Sequence, residues 1–162
     1  MSLFKTLSRC FVLLIGLAVA GCGFAPVYGT NGGAQALQNR VLVNAPNTRE
    51  DYALVRQIER RLGRADTIEY RLNVDLEISE DGVAITPDGD ITRYNVTGTA
   101  TYVMTNAATD ATAGSGTVST FTSYSAVGTT VVTLNAQEDA RGRLALALAD
   151  LILSRLLADT AS

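Results

Sequence analysis

The sequence predicts an α+β fold, with two helices packed on a four-stranded, mostly antiparallel sheet in the order β-α-β-β-β-α. Three observations carry this expectation. Ile68, Tyr70, Leu72, Val74, Leu76 and Ile78 alternate strictly with Glu69, Arg71, Asn73, Asp75, Glu77 and Ser79, the period-two pattern of a half-buried strand. Apolar residues recur at helical spacing after Thr48 and again after Asn135. Turn-forming clusters separate the strands between those two helices.

The first strand is the β-branched run from Arg40 to Asn44, closed by Pro46. Thr48 then caps a helix whose first turn carries Glu50 and Asp51, where the helix dipole favours acids. Tyr52, Val55, Ile58 and Leu62 form its expected apolar face, and Gly63 its C-terminal cap. Arg49, Arg56, Glu59 and Arg60 lie on the other side. The alternating strand over 68–79 has one wet face. Glu80-Asp81-Gly82 turns or bulges it, and Pro87-Asp88-Gly89-Asp90 makes a second turn. In the next strand Tyr94, Val96, Ala100, Tyr102 and Met104 face one way, with Arg93, Asn95, Thr97, Thr99 and Thr101 opposed. A polar loop from Asn106 to Ser115 leads to a Thr/Ser-rich strand over Gly116 to Val127, with room to run on past Gly128 into Thr129 to Thr133. Sequential strands joined by turns favour an antiparallel meander.

Asn135 is the expected cap of the last helix, with Glu138 completing a capping box. Ala140, Leu144, Leu148, Leu151 and Leu156 make one apolar stripe; Leu146, Leu153 and Leu157 make a second, well round the helix. A helix covering one sheet face needs a single stripe. The surplus leucines fit a broad core face with scattered exposed residues, or a helix covered twice, by its own sheet and by a partner.

The N-terminus assigns the compartment. Lys5 and Arg9 precede an apolar run from Cys10 to Ala20, too short to span a bilayer and fitting a signal peptide. Val19-Ala20-Gly21-Cys22 resembles a bacterial lipobox, which implies cleavage after Gly21 and acylation of Cys22 on its sulfur and its new amino group. Two or more acyl chains make an anchor stable. The plainer alternative is a secretory peptide with an incidental cysteine. By resemblance to the enteric sorting rule, in which Asp at this position signals inner-membrane retention, Gly23 implies the outer membrane. The organisation expected is therefore a signal peptide over 1–21, a lipid-anchored tether over 22–38 and an α+β domain over 39–162.

Composition excludes several chemistries. The chain of 162 residues has no His, which removes His-based triads, His general bases and His metal sites. After cleavage, Cys22 would be the sole cysteine and would carry lipid, so no disulfide is expected, and eleven arginines would face sixteen carboxylates. That acidic balance argues against nucleic acid as a partner. Asp88 and Asp90 fall far short of a calcium loop, so no metal is expected. Gly114-Ser115-Gly116 lacks the spacing of a nucleophile elbow. Glu69, Asp75 and Glu77 share a strand face, and a lipid-anchored hydrolase would need such carboxylates to converge in a pocket. A solvated face is the simpler account.

Gly21-Cys-Gly-Phe-Ala-Pro-Val-Tyr-Gly29, Asp90-Ile-Thr-Arg-Tyr-Asn-Val-Thr-Gly-Thr-Ala100, Ser123-Tyr124 and the closing segment from Asp139 to Leu156 together resemble the LptE family, in its alphaproteobacterial form. The resemblance implies two helices on a four-stranded sheet, no catalysis, no cofactor and a place in lipopolysaccharide transport at the cell outer membrane. It implies a lipoprotein that plugs the LptD β-barrel, assists its assembly, binds lipopolysaccharide and helps deliver it to the outer leaflet. Leu146, Leu153 and Leu157 are then candidates for barrel contact. Arg forks match phosphate bidentately, so Arg93 and Arg71 are candidates for the lipopolysaccharide phosphates. An auxiliary lipoprotein of an ABC-type lipid transport system is the alternative reading.

Overall fold

The computed structural model describes residues 33–159. It opens with a short helix, α1 (Gly33–Leu37), within the stretch expected to be tether. Leu37 is fully buried, so this turn is pinned to the domain by its one large apolar side chain. Strand β1 (Val41–Val43) follows, then α2 (Arg49–Leu62), β2 (Tyr70–Ile85), β3 (Ile91–Asn106), β4 (Thr112–Ser125) and α3 (Thr130–Asp159). The sheet order is β1-β2-β3-β4, with β1 parallel to β2 and the other pairs antiparallel. The expected architecture is thus present, with α1 added in front.

Local chemistry fixes the ends of α2. Thr48 Oγ1 accepts from the Asp51 N–H at 3.1 Å, and Asp51 Oδ2 accepts from the Thr48 N–H at 3.0 Å, a reciprocal cap. At the other end Gly63 takes φ 78°, and a Cβ there would fall 1.8 Å from Asn39 Oδ1. Only glycine fits. The buried line of α2 is Leu54, Ile58 and Leu62, whereas Tyr52 is mostly exposed, so the expected apolar face is corrected. Tyr52 sits two positions from Leu54, about 200° round the helix, and cannot share its face.

Where β1 stops, the Asn44 side chain continues its pairing. Its Nδ2 donates to the Val74 carbonyl at 3.3 Å and its Oδ1 accepts from the Val74 N–H at 3.1 Å. The β2–β3 hairpin runs in register from Tyr70 opposite Asn106 to Gly82 opposite Tyr94. Register shifts after Gly82 and after Ala84 then carry it on to Ile85 opposite Ile91. The Glu80-Asp81-Gly82 signal is therefore a bulge that the strand passes through. Ile68 lies before the strand and is exposed.

Three boundaries differ from expectation. Strand β4 starts at Thr112, inside the expected loop, because its glycines are packing positions and not turn positions. A Cβ on Gly116 would meet the Tyr102 hydroxyl at 2.8 Å, and one on Gly114 would touch Leu156 at 3.4 Å. Helix α3 starts at Thr130, so Thr129 to Thr133 do not prolong β4, and Asn135 is inside the helix rather than its cap. Glu138 reaches across to Arg49 at 2.8 Å instead of closing a capping box. In the closing stripe Ile152 is fully buried where Leu151 was expected.

The core lies between one sheet face and the helices. Leu72, Val96, Ala100, Tyr102, Met104 and Val118 point inward from the strands, and Ala140, Leu144, Leu148, Ile152 and Leu156 meet them from α3. The other sheet face carries Thr and Ser, including Thr99–Ser119 and Thr101–Thr117 hydroxyl pairs.

Candidate functional site

The molecule has two unlike ends. Helix α1, the C-terminal ends of α2 and α3 and the start of β2 gather at one; Asn39, before β1, receives there the backbone of Asp66 and gives its own to Leu62. The opposite end carries the β2–β3 turn and the β4–α3 connection. That turn is tight: Gly89 donates to the Thr86 carbonyl at 3.0 Å, and Asp90 donates to Thr86 Oγ1 at 3.1 Å. Gly89 takes φ 91°, which favours glycine. Asp88 and Asp90 are thus turn residues.

This turn end is unusually apolar. Val83, Ile85 and Ile91 project from the hairpin, Val127 from the β4–α3 connection, and Val131 and Val132 from the first turn of α3. Half to two-thirds of the surface of Val83, Ile85, Val131 and Val132 is open to solvent. The Ala126 N–H donates to the Thr92 carbonyl at 2.9 Å, which joins the two groups at one end of the sheet. An exposed apolar grouping of this kind on a small domain marks a contact surface.

A polar clamp fixes the first turns of α3 against the sheet just behind that end. Glu80 accepts from Arg141 Nε at 2.6 Å, Gln137 Nε2 at 2.7 Å and Tyr124 Oη at 3.3 Å. Arg141 also approaches Glu50 of α2 at 3.9 Å. Burial by itself raises the Glu80 pKa, but the donated hydrogen bonds and the Arg141 charge outweigh it and hold the carboxyl below its ordinary value. Burial, with Glu80 beside it, pushes the Tyr124 hydroxyl up. The clamp joins residues 61 positions apart, so no sequence pattern announces it.

The residues singled out from the sequence fall in different places. Arg93 lies at the apolar end, exposed on the open sheet face, with no ion-pair partner among the described residues. Arg71 lies on the same face at the other end, opposite Thr105 and 3.9 Å from Asp110. Twelve strand positions, about 40 Å at 3.3 Å each, separate them, so the structure does not bring them together. Leu153 and Leu157 are buried and Leu146 is half-buried. The first two line, with Gln35, Gln38 and Leu62, a groove of about 330 Å³ beside α1 and α2. The chain's own helices thus account for the second apolar stripe. Asp75 and Glu77 are exposed, and Glu69 pairs with Arg40 at 3.2 Å; the three do not converge on a pocket. Val19, Ala20, Gly21 and Cys22 lie outside the described residues.

Among the described residues no group of three or more His, Cys, Asp or Glu is placed to hold a metal, and no helix is long and apolar enough to cross a membrane. The groove beside α1 holds two charged groups, Arg61 and Asp150, which pair at 3.5 Å. The site that stands out is the apolar end with Arg93 beside it. Sequence reading missed it because Val131 and Val132 read as strand; their one signal was a β-branched pair with no polar partner in alternation.

A family model for LptE lipopolysaccharide-assembly proteins matches residues 37–156. The chain belongs to the LptE family. Solved structures share the fold at low identity. A lipoprotein from Caulobacter crescentus CB15 superposes with a TM-score of 0.66 at 17% identity, covering 80% of this chain and 97% of that one. Rare lipoprotein B from Shewanella oneidensis gives 0.55 at 14% identity, over 71% of this chain and 89% of that one. Lipoprotein B from Nitrosomonas europaea gives 0.57 at 14% identity, over 76% and 84%. No curated protein sequence matches significantly. Family membership places the chain among the lipoproteins of lipopolysaccharide assembly and envelope biogenesis, a non-enzymatic family.

Proposed function

We propose that this protein is an outer-membrane lipoprotein, anchored through Cys22, that plugs an LptD-type β-barrel, assists its assembly and helps deliver lipopolysaccharide to the outer leaflet. The observation that carries the reading is the apolar end, exposed in a chain of the LptE family and opposite the end that carries α1. A barrel lumen or the acyl chains of lipopolysaccharide would cover such a surface. Arg93 stands at the same end with no ion-pair partner among the described residues, and its guanidinium suits a phosphate. A ligand that is apolar at one end and phosphorylated at the other matches that juxtaposition. Arg71, some 40 Å away, is left as an ordinary surface residue paired with Asp110.

The double substitution Val131→Glu with Val132→Glu tests the reading. Both side chains are solvent-exposed, so the domain should fold as before. Recovery of the barrel with the chain from solubilised outer membranes should fall at least tenfold. Arg93→Glu should weaken lipopolysaccharide binding with an unchanged melting temperature. Full barrel recovery by the double variant would overturn the assignment of this end as the contact. Mass spectrometry of the exported chain should show Cys22 as an acylated N-terminus.

A further inference from the structure

The two edges of the sheet are defended very differently. On one side β1 covers the start of β2, Asn44 extends the cover to Val74, and Asp75, Glu77 and Asp81 stud the rest of β2 with charge. On the other side no strand among the described residues pairs with the outer edge of β4. Its fourteen residues contain no Asp, Glu, Lys, Arg or Pro, and Phe121 is 68% exposed on it. Native proteins normally blunt such an edge with charge, proline or a cover, because its free backbone groups pair with any strand that arrives.

The register says which backbone groups are free. Ala126 donates to Thr92 across the β3–β4 ladder, and antiparallel pairing alternates. Ser115, Thr117, Ser119 and Phe121 therefore turn their N–H and C=O away from β3. Arg143 Nη2 donates to the next outward carbonyl, Ser123, at 3.4 Å, which confirms the direction and closes the far end of the run.

We infer that the outer edge of β4 is a docking strand that takes an extended, uncharged segment of a partner protein by main-chain hydrogen bonding. The inference rests on the proposed partnership with a β-barrel chain and assigns that partner as the source of the segment. The free run from Ser115 to Phe121 can pair along part of a barrel strand of about 9–11 residues. A barrel not yet closed exposes such an edge itself. A second copy of this chain is the less favourable occupant, since eleven arginines against sixteen carboxylates in the described residues leave each copy at net −5. Strand addition draws affinity from main-chain hydrogen bonds and needs no pocket.

Thr117→Pro removes one outward N–H and leaves the β3 ladder intact, since proline is tolerated where the N–H faces out. Thr117→Val is its control: it loses the hydroxyl contact with Thr101 but keeps the N–H. Phe121→Lys places a charge on the edge at an exposed position. Barrel recovery from solubilised outer membranes should fall at least tenfold for Thr117→Pro and Phe121→Lys and stay at wild-type level for Thr117→Val. Phe121→Lys carries the test if the proline variant melts early. Wild-type recovery by both variants would overturn the docking strand while leaving the barrel partnership standing. Failure of the unaltered chain to recover any barrel would overturn the partnership, and the docking strand with it. A Ser119→Cys chain cross-linked to the barrel would support the assignment; one cross-linked to its own copy would overturn it.

Discussion

Glu80 is the residue on which the packing of the apolar end depends. It joins β2 to α3 through Arg141 and Gln137, and to β4 through Tyr124. Its folded-state pKa lies below the usual 4.5, so its stabilisation is present above that value and disappears as pH falls through the folded pKa. Glu80→Gln should lower stability at pH 7 by about 1–2 kcal/mol, the scale of a charge-assisted hydrogen bond lost at a partly buried site. Urea titrations should find the gap between wild type and variant closing as pH drops below 4.5. A gap of constant size down to pH 3 would mean that the clamp works by packing alone. Gly98 shows the other kind of single-residue constraint: a Cβ there would lie 2.8 Å from Leu148 and 2.9 Å from Leu144. The sequence presented it as a gap in an alternating strand, and the reason for it sits on a helix some 50 positions later.

At the level of elements, strongly periodic segments were legible and weakly periodic ones were not. The β2 alternation and the Thr48 cap are local signals; the cap stands where the residues placed it, and the strand holds from Tyr70 but leaves Ile68 out and runs on to Ile85. The sequence pattern starts the closing helix six residues late because Val131, Val132 and Thr133 are β-branched and poor helix formers. Propagation from the Ala/Leu-rich body carries the helix through them, since adding a turn costs far less than nucleating one. The start of β4 was missed for a converse reason: Gly114 and Gly116 signal turns locally, but here they make room for Leu156 and Tyr102. The apolar end escaped for the same cause, because exposure is decided by which elements meet. Helix α3 also keeps one residue that nothing in its packing requires. A Cβ on Gly142 would meet nothing within 4 Å. Gly142→Ala should therefore stabilise the domain by about 0.5–1 kcal/mol, measurable as a rise in melting temperature.

Across the whole molecule, the sheet is a meander of neighbours closed by one late element. Strands β3 and β4 pair with the strand immediately before them and β2 pairs with β1 across α2, whereas the lid over their inner face is α3, the last element in the described chain. Nine of the 22 buried apolar residues belong to that helix. A chain that emerges from its N-terminus onward must carry Leu72, Val96, Tyr102, Met104 and Val118 uncovered until the thirty residues of α3 arrive. A version ending at Thr129 should accordingly aggregate or be degraded, and light scattering on refolding would register it. Until α3 docks, this open face makes an interval of vulnerability, in which the half-made domain is exposed to aggregation and proteolysis.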